Sequence, residues 1–189
     1  MKISIQILIL FLVAVSCKNE PKKEVKTPSI PKVKLLETLP KSVAKEPKSF
    51  KSFTGLADTT FIRLADFSDD FVYDLRYATT NNFLKAKVYD CAECYMRVKT
   101  AKALLKANKA FMEKGYRIKF FDCYRPNEVQ YKMWAIVPNP QYVANPVKGS
   151  IHNKGAAVDI SLVTLDGKEV AMGTDFDFFG KRAYHDTTD

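Results

Sequence analysis

Residues 97–126 read RVKTAKALLKANKAFMEKGYRIKFFDCYRP, and this stretch decides the fold class. Residues 97–114 place apolar side chains at helical spacing, and Gly115 follows where a helix C-cap glycine belongs. From residue 116 to 121 apolar and polar side chains alternate, which predicts a half-buried strand with Lys119 on its polar side. A long helix is therefore followed directly by a strand.

A second helix is predicted immediately downstream of this strand. Pro126-Asn127, with Gln130 three residues after the asparagine, fits the capping pattern of a helix start. Three prolines between residues 138 and 146 then predict an irregular loop.

A second strand is predicted after that loop, at residues 155–163. It is closed by the turn Asp166-Gly167 into residues 168–172. Helices and strands are mixed without a regular βαβ rhythm, so we expect the α+β class. The expected architecture is a single compact domain with a central antiparallel sheet flanked by helices.

The N-terminus has the features of an exported protein. Lys2 precedes an almost wholly apolar run at residues 3–15, which is too short to span a bilayer and has the length of a signal-peptide core. Ala14-Val15-Ser16-Cys17 resembles a bacterial lipobox, in which the cysteine is acylated. Residues 1–16 are therefore predicted to be a lipoprotein signal peptide, with lipidation at Cys17. A plain cleaved signal and a buried N-terminal helix are the alternatives.

Residues 17–52 have the composition of a tether. Between residues 18 and 51 ten lysines stand against four glutamates, so this stretch carries +6 of the formal net charge of +9. A segment rich in lysine and proline buries too little apolar surface to offset its ordering entropy, which predicts an extended tether. Aromatic residues do not alternate with these lysines, so we expect no nucleic-acid partner. Residues 53–189 are dense in apolar side chains and form the predicted domain.

The chemistry of this domain concentrates in Ser150-Ile151-His152-Asn153-Lys154-Gly155-Ala156-Ala157-Val158-Asp159. A turn at Gly155 would bring His152 and Asp159 together, and imidazole nitrogen and carboxylate oxygen are ordinary zinc ligands. Spacing alone also fits a surface histidine and an unrelated turn aspartate.

The whole string is more specific, because S-x-H-x-x-G-x-A-x-D resembles the signature of the zinc D,D-peptidases that cut D-alanyl-D-alanine. Three further segments, in the same order, are similar to the D-alanyl-D-alanine dipeptidase branch of that family. They are Asp74-Leu75-Arg76-Tyr77-Ala78-Thr79 with Asn82-Phe83 and Val88-Tyr89, Asp122-Cys123-Tyr124-Arg125-Pro126, and Met172-Gly173 with Phe176-Asp177-Phe178. The resemblance runs from about Phe61 to the last residues.

The resemblance implies roles for five residues. His152 and Asp159 would bind Zn²⁺, and Arg125 would stabilise the negative charge that develops on the scissile carbonyl oxygen. Asp177 would receive the free ammonium group of the substrate, and Ser150 would contact the substrate or orient a ligand. Arg125 also fits a surface salt bridge, and Asp177 a helix-cap acid. The implied partners are D-alanyl-D-alanine or related peptidoglycan peptides, with a lipid anchor to the membrane.

One part of the family pattern is missing from this sequence. The family closes its site with E-x-x-H, whose histidine is the third ligand and whose glutamate activates water. The chain has two histidines, His152 and His185, and no E-x-x-H. His185 resembles a family position upstream of that motif, so we do not assign it as a ligand. We expect a chain that is truncated at its C-terminus and is inactive without the general base.

Three functions therefore remain open. They are hydrolysis of D-alanyl-D-alanine, D,D-carboxypeptidase action on peptidoglycan stems, and non-catalytic binding of wall peptides by a lipoprotein. An E-x-x-H within some 30 codons after Asp189 would favour an enzyme.

Three cysteines lie in the predicted domain. Cys91 and Cys94 form a C-x-x-C pair without a second pair or a nearby histidine, so a metal knuckle is disfavoured. In an exported protein a disulfide from Cys91 or Cys94 to Cys123 would brace the residues around Arg125. The third thiol would stay free.

Overall fold

A computed structural model describes residues 48–184 of the chain. The predicted signal peptide, Cys17, most of the tether and His185 lie outside the described residues. In this described part of the chain, five strands and two α-helices are joined by loops and short 3₁₀ turns. In chain order they are β1 (Phe61–Arg63), β2 (Val72–Tyr73), β3 (Tyr95–Arg97), α1 (Val98–Met112), β4 (Tyr116–Asp122), α2 (Asn127–Ile136) and β5 (Asp159–Thr164).

The central sheet has the strand order β2-β4-β5. As predicted, β4 and β5 pair antiparallel, but β2 pairs parallel to β4. Parallel strands need a long crossover, and the segment between β2 and β4 contains α1 and supplies it. Strands β1 and β3 form a separate two-stranded antiparallel sheet. The α+β class is confirmed.

Helix α1 packs on one face of β4, where Ile118 and Phe120 are fully buried among its apolar side chains. Helix α1 ends at Met112, two residues before the predicted end, and Gly115 lies in the turn that follows, with the positive φ of 86° that its glycine permits. The opposite face of β4 is also covered. Lys119, predicted on a polar face, is 3% exposed because Glu169 binds its ammonium group at 2.6 Å and the ring of Phe121 lies below it.

The remaining elements differ from the prediction at their ends. Helix α2 begins at Asn127 without a side-chain cap, and Gln130 is fully buried instead of completing a capping box. Strand β5 begins only at Asp159, and residues 168–172 contribute one isolated bridge, between Val163 and Glu169. Within residues 48–184, no helix combines the length and apolar character needed to cross a membrane.

Candidate metal centre

The candidate site lies where β4 ends and β5 begins. Asp122 and Asp159 are paired across these two strands, next to an irregularity in the ladder. A 3₁₀ turn, His152–Lys154, precedes β5 and brings the imidazole to the same place. Ligand atoms of Asp122, His152 and Asp159 all lie within 4.8 Å of one another. The fold therefore gathers three side chains of the types that bind metal ions at one edge of the sheet.

His152 and Asp159 have the geometry of two ligands of one metal ion. Nε2 of His152 lies 3.5 Å from Oδ1 of Asp159. Two ligands bonded to a tetrahedral zinc at about 2.0–2.2 Å lie roughly 3.3–3.6 Å apart, so this pair fits. Nδ1 of the same ring hydrogen-bonds the carbonyl oxygen of Cys123 at 2.9 Å, so Nδ1 carries a proton and Nε2, which faces Asp159, is the nitrogen left to bind a metal ion.

The charge state of His152 reflects the same neighbour. Burial lowers the pKa of this imidazole, but the hydrogen bond and the negative charge of Asp159 outweigh burial and raise it overall. The negative charge of Asp159 therefore favours a positive charge at this position.

Asp122 is a supporting residue rather than a ligand. Its Oδ1 accepts hydrogen bonds from the hydroxyl of Tyr89 at 2.7 Å and the backbone N–H of Cys123 at 2.9 Å. Its Oδ2 accepts two from Arg125, at 2.5 and 3.2 Å. These four donors use the roughly four lone-pair positions of a carboxylate. The carboxylate also lies on the Nδ1 side of His152, 3.7 Å from that atom, and so away from Nε2.

Arg125 is a buried cation with a complete set of partners. Its side chain is 9% exposed and also donates to Oε1 of Gln130 at 3.0 Å. Burial lowers the pKa of Arg125, whereas the charge of Asp122 raises it, and the net shift is upward. The guanidinium lies 5.4 Å from the ring centroid of Tyr77. It is therefore held charged and in one orientation.

Gly155 ends the histidine turn and has to be glycine for two reasons. Its φ is 65°, in the left-handed region, and a Cβ there would lie 2.3 Å from the ring of Phe61. Arg97 also holds this turn, because its Nε donates to the carbonyl oxygen of Lys154 at 2.6 Å. The two-stranded sheet thereby supports the metal-ligating turn.

The arginine and histidine segments are connected directly. The backbone N–H of Arg125 donates to the carbonyl oxygen of His152 at 3.2 Å, and the amide of Asn153 donates back to the Arg125 carbonyl at 2.7 Å. Ser150 is part of the same turn, since its hydroxyl accepts from the backbone N–H of His152 at 3.2 Å.

Asp177 comes from a distant loop and reaches the site through Tyr77. The hydroxyl of Tyr77 donates to Oδ2 of Asp177 at 2.7 Å, and the aspartate has a φ of 56°. Left-handed backbone is uncommon outside glycine and is often found at functional sites. Burial raises the pKa of Asp177 to about 6, with a further contribution from the charge of Asp159.

A cleft of about 780 Å³ lies beside this site rather than at it. Lys119, Arg76 and residues 169–176 contribute to its lining, whereas His152, Asp159 and Asp177 do not. Phe176 lines the cleft and stacks on Phe121 at 4.5 Å between ring centroids. The cleft therefore adjoins the loop that carries Asp177.

The five site residues predicted within residues 48–184 all contribute to this network, directly or through one neighbour. The sequence interpretation gave no role in the site to Asp122, Tyr77, Tyr89 or Gln130. Asp122, Tyr77 and Tyr89 belong to the quoted motifs, so a signal for them existed. Gln130, predicted to cap a helix, is brought into the site by the fold.

Comparisons with known proteins find a matching family model and related proteins. The family model described as D-ala-D-ala dipeptidase matches residues 57–189. A D-alanyl-D-alanine dipeptidase of Escherichia coli (strain K12) is 33% identical, over 69% of this chain and 69% of its own length. A D-alanyl-D-alanine dipeptidase of Enterococcus faecium is 31% identical, over 60% of this chain and 66% of its own length. One from Enterococcus faecalis (strain ATCC 700802 / V583) is 28% identical, again over 66% of its length.

Proposed function

The chain belongs to the D-alanyl-D-alanine dipeptidase family, and we propose that it acts on the D-alanyl-D-alanine dipeptide in the bacterial cell envelope, as a zinc-dependent hydrolase. The observation that carries this proposal is the pair formed by His152 and Asp159, with the buried Arg125 close to both.

The donor set fits zinc. His152 supplies a neutral nitrogen whose tautomer is fixed by Cys123, and Asp159 supplies a carboxylate oxygen at ligand-to-ligand distance. When bound, zinc polarises a carbonyl group and lowers the pKa of water. Two protein ligands bind zinc more weakly than the usual three, so we expect low affinity from this chain. Tight stoichiometric zinc in the purified protein would contradict that expectation.

Arg125 is assigned to the carbonyl oxygen of the scissile bond. Asp122 and Gln130 fix its guanidinium before any substrate arrives, so stabilising a developing oxyanion costs no reorganisation there. Asp122 has no free acceptor position and serves as the positioning residue for Arg125.

Asp177 is assigned to the free ammonium group of the dipeptide. Tyr77 orients its carboxylate from one side, and burial strengthens a charge–charge contact at this position. Binding the amino terminus here would favour dipeptides over blocked peptides. Ser150 is assigned to the histidine turn, through its hydrogen bond to the backbone of His152.

The E-x-x-H of the resemblance is not present in these 189 residues. Loss of a general base costs about 10²–10⁴ in rate. We therefore expect slow turnover or none from the 189-residue chain, together with retained binding of ligands. Binding and turnover have to be measured separately.

D,D-carboxypeptidase action on peptidoglycan stems is the second candidate. The cleft next to Asp177 offers a longer peptide a place to continue, with Arg76 and Lys119 in its lining. This function would make a blocked stem peptide ending in D-alanyl-D-alanine a better ligand than the free dipeptide.

The test compares three ligands on the zinc-loaded chain by calorimetry, with D-alanine release followed in the same samples. We expect zinc-dependent binding of D-alanyl-D-alanine, weak binding of the blocked stem peptide and none of L-alanyl-L-alanine. His152→Ala is expected to abolish the zinc dependence. Equal binding of both stereoisomers, or binding that does not depend on zinc, would reject the proposal. A preference for the stem peptide would favour the second candidate.

We also propose export and membrane attachment through Cys17. The Cys94–Cys123 disulfide supports export, because such bonds persist mainly in oxidising compartments. Cys17→Ala should move the protein from the membrane fraction to the soluble fraction. Unchanged partitioning would mean that the apolar N-terminus itself is the anchor.

A further inference from the structure

The Cys94–Cys123 disulfide ends at the backbone that holds the metal-ligating histidine. Cys94 comes immediately before β3 and Cys123 immediately after β4, and they are 3% and 2% exposed. The bridge thus joins the two-stranded sheet to the end of the central strand. Of the two partners considered for Cys123, the structure selects Cys94 and leaves Cys91 free and exposed.

The backbone of Cys123 has two roles in the site. Its carbonyl oxygen accepts from Nδ1 of His152 at 2.9 Å, and its N–H donates to Asp122 at 2.9 Å. The first bond selects the tautomer of the ligand, and the second orients the partner of Arg125. Any motion of the Cys123 backbone would disturb both.

The disulfide restrains the backbone of Cys123 through the side chain of that residue. The neighbouring residue is held separately, because the N–H of Tyr124 donates to the carbonyl oxygen of Tyr95 at 2.9 Å. Reduction would leave that backbone bond as the connection to β3. We therefore expect the site to loosen without unfolding.

We propose that the Cys94–Cys123 disulfide is a positioning element of the metal centre, so that oxidation of the two thiols completes the site. This inference rests on the proposed zinc function. Forming the bridge removes two electrons and two protons from the thiols, and a protein disulfide of an exported thiol oxidase accepts both through exchange. The chain would then gain its full metal affinity only after leaving the cytoplasm.

The effect has a known scale. Partners that fix a metal-bound histidine typically contribute about 10- to 100-fold to metal affinity. The disulfide does not contact the histidine itself, and the backbone hydrogen bond of Tyr124 remains when the disulfide is absent. We therefore expect its loss to lower zinc affinity by about 10-fold.

The test uses the full chain with Cys91→Ser in every sample, which prevents disulfide exchange with the exposed thiol. The bridged protein is compared with Cys94→Ala/Cys123→Ala. The first readout is the tautomer of His152, from imidazole ¹⁵N shifts of metal-free protein, recorded while the pH is raised until the shifts no longer change. His185→Gln assigns the signal. The second readout is zinc affinity, from competition with a chelator.

We expect one Nδ1–H tautomer in the bridged protein, a mixture of tautomers without the bridge, and about a 10-fold loss of zinc affinity. A single unchanged tautomer with unchanged affinity in a folded double variant would overturn the inference. If the alanine pair does not fold, Cys94→Ala/Cys123→Val restores buried volume, and bridged protein reduced by a phosphine gives the same comparison. A tautomer change in a protein that shows no zinc-dependent binding of D-alanyl-D-alanine would reject the proposed function and keep this inference.

Discussion

Asp122 and Arg125 form the most buried ion pair of the site, with Oδ2 of the carboxylate 2.5 Å from Nη2 of the guanidinium. The two side chains are 1% and 9% exposed. Such a pair is costly to desolvate and is weak evidence for stability. Its consequence is that the guanidinium of Arg125 is fixed and charged next to the turn that carries His152.

Asp122→Asn should strongly destabilise the protein. It would leave the buried guanidinium without its counter-charge, and breaking a buried pair from one side typically costs about 3–5 kcal/mol. Denaturant unfolding measures the change. Asp58→Asn is the matched control, because its pair with Lys102 is 57% and 48% exposed and should cost at most about 1 kcal/mol. Equal losses at both positions would contradict the special role of Asp122.

Gly155→Ala should destabilise the protein more than Gly167→Ala. Both glycines have positive φ, which costs an alanine about 1–2 kcal/mol. At Gly167 the added Cβ meets open space, whereas at Gly155 it would lie 2.3 Å from Phe61. The difference between the two melting temperatures isolates the contact with Phe61. Equal shifts of the two melting temperatures would show that backbone strain alone accounts for the requirement for glycine at residue 155.

The helix, the strand and the glycine between them were predictable because they depend on local spacing. Residues 97–121 contain both periodicities, and α1, Gly115 and β4 follow them. The parallel pairing of β2 was not predictable, because two residues have no measurable pattern and the pairing depends on the path of α1. The burial of Lys119 was not predictable for a similar reason. Alternation places it opposite Ile118, but only the fold brings Glu169 over it.

The site was predictable where one motif contained both partners. His152 and Asp159 are seven residues apart and meet through the turn at Gly155. Gln130 was read as a capping residue, because nothing local indicates that its side chain joins Arg125 to the carbonyl oxygen of Ala144. Contacts between segments that are distant in the sequence were therefore not predicted.

Arg125→Ala should weaken binding of a phosphinate analogue of D-alanyl-D-alanine far more than binding of the dipeptide itself. The phosphinate oxygen carries the charge that develops on the carbonyl, and one preorganised oxyanion donor contributes about 10²–10³. Calorimetry on zinc-loaded protein measures both affinities. Arg125→Lys should recover part of the loss, since an ammonium lacks the planar fork. If the two ligands lost affinity equally, Arg125 would bind the ground state and the oxyanion assignment would be wrong.

Asp177 should make the metal-free protein less stable as pH rises from about 4 to about 7. Burial raises the pKa of this carboxyl to about 6, above its value in the unfolded chain. The folded state therefore binds the proton more tightly, so the contribution is full below the unfolded pKa and is lost as pH rises through about 6.

Asp177→Asn keeps an acceptor for Tyr77 and removes the buried charge. It should raise the melting temperature by about 2–4 °C at neutral pH and leave it unchanged near pH 4. Asp175→Asn, an exposed charge two residues away, is the control, and chelator keeps the sample free of metal. A stabilisation of the same size at both pH values would show that the buried charge of Asp177 is not its source.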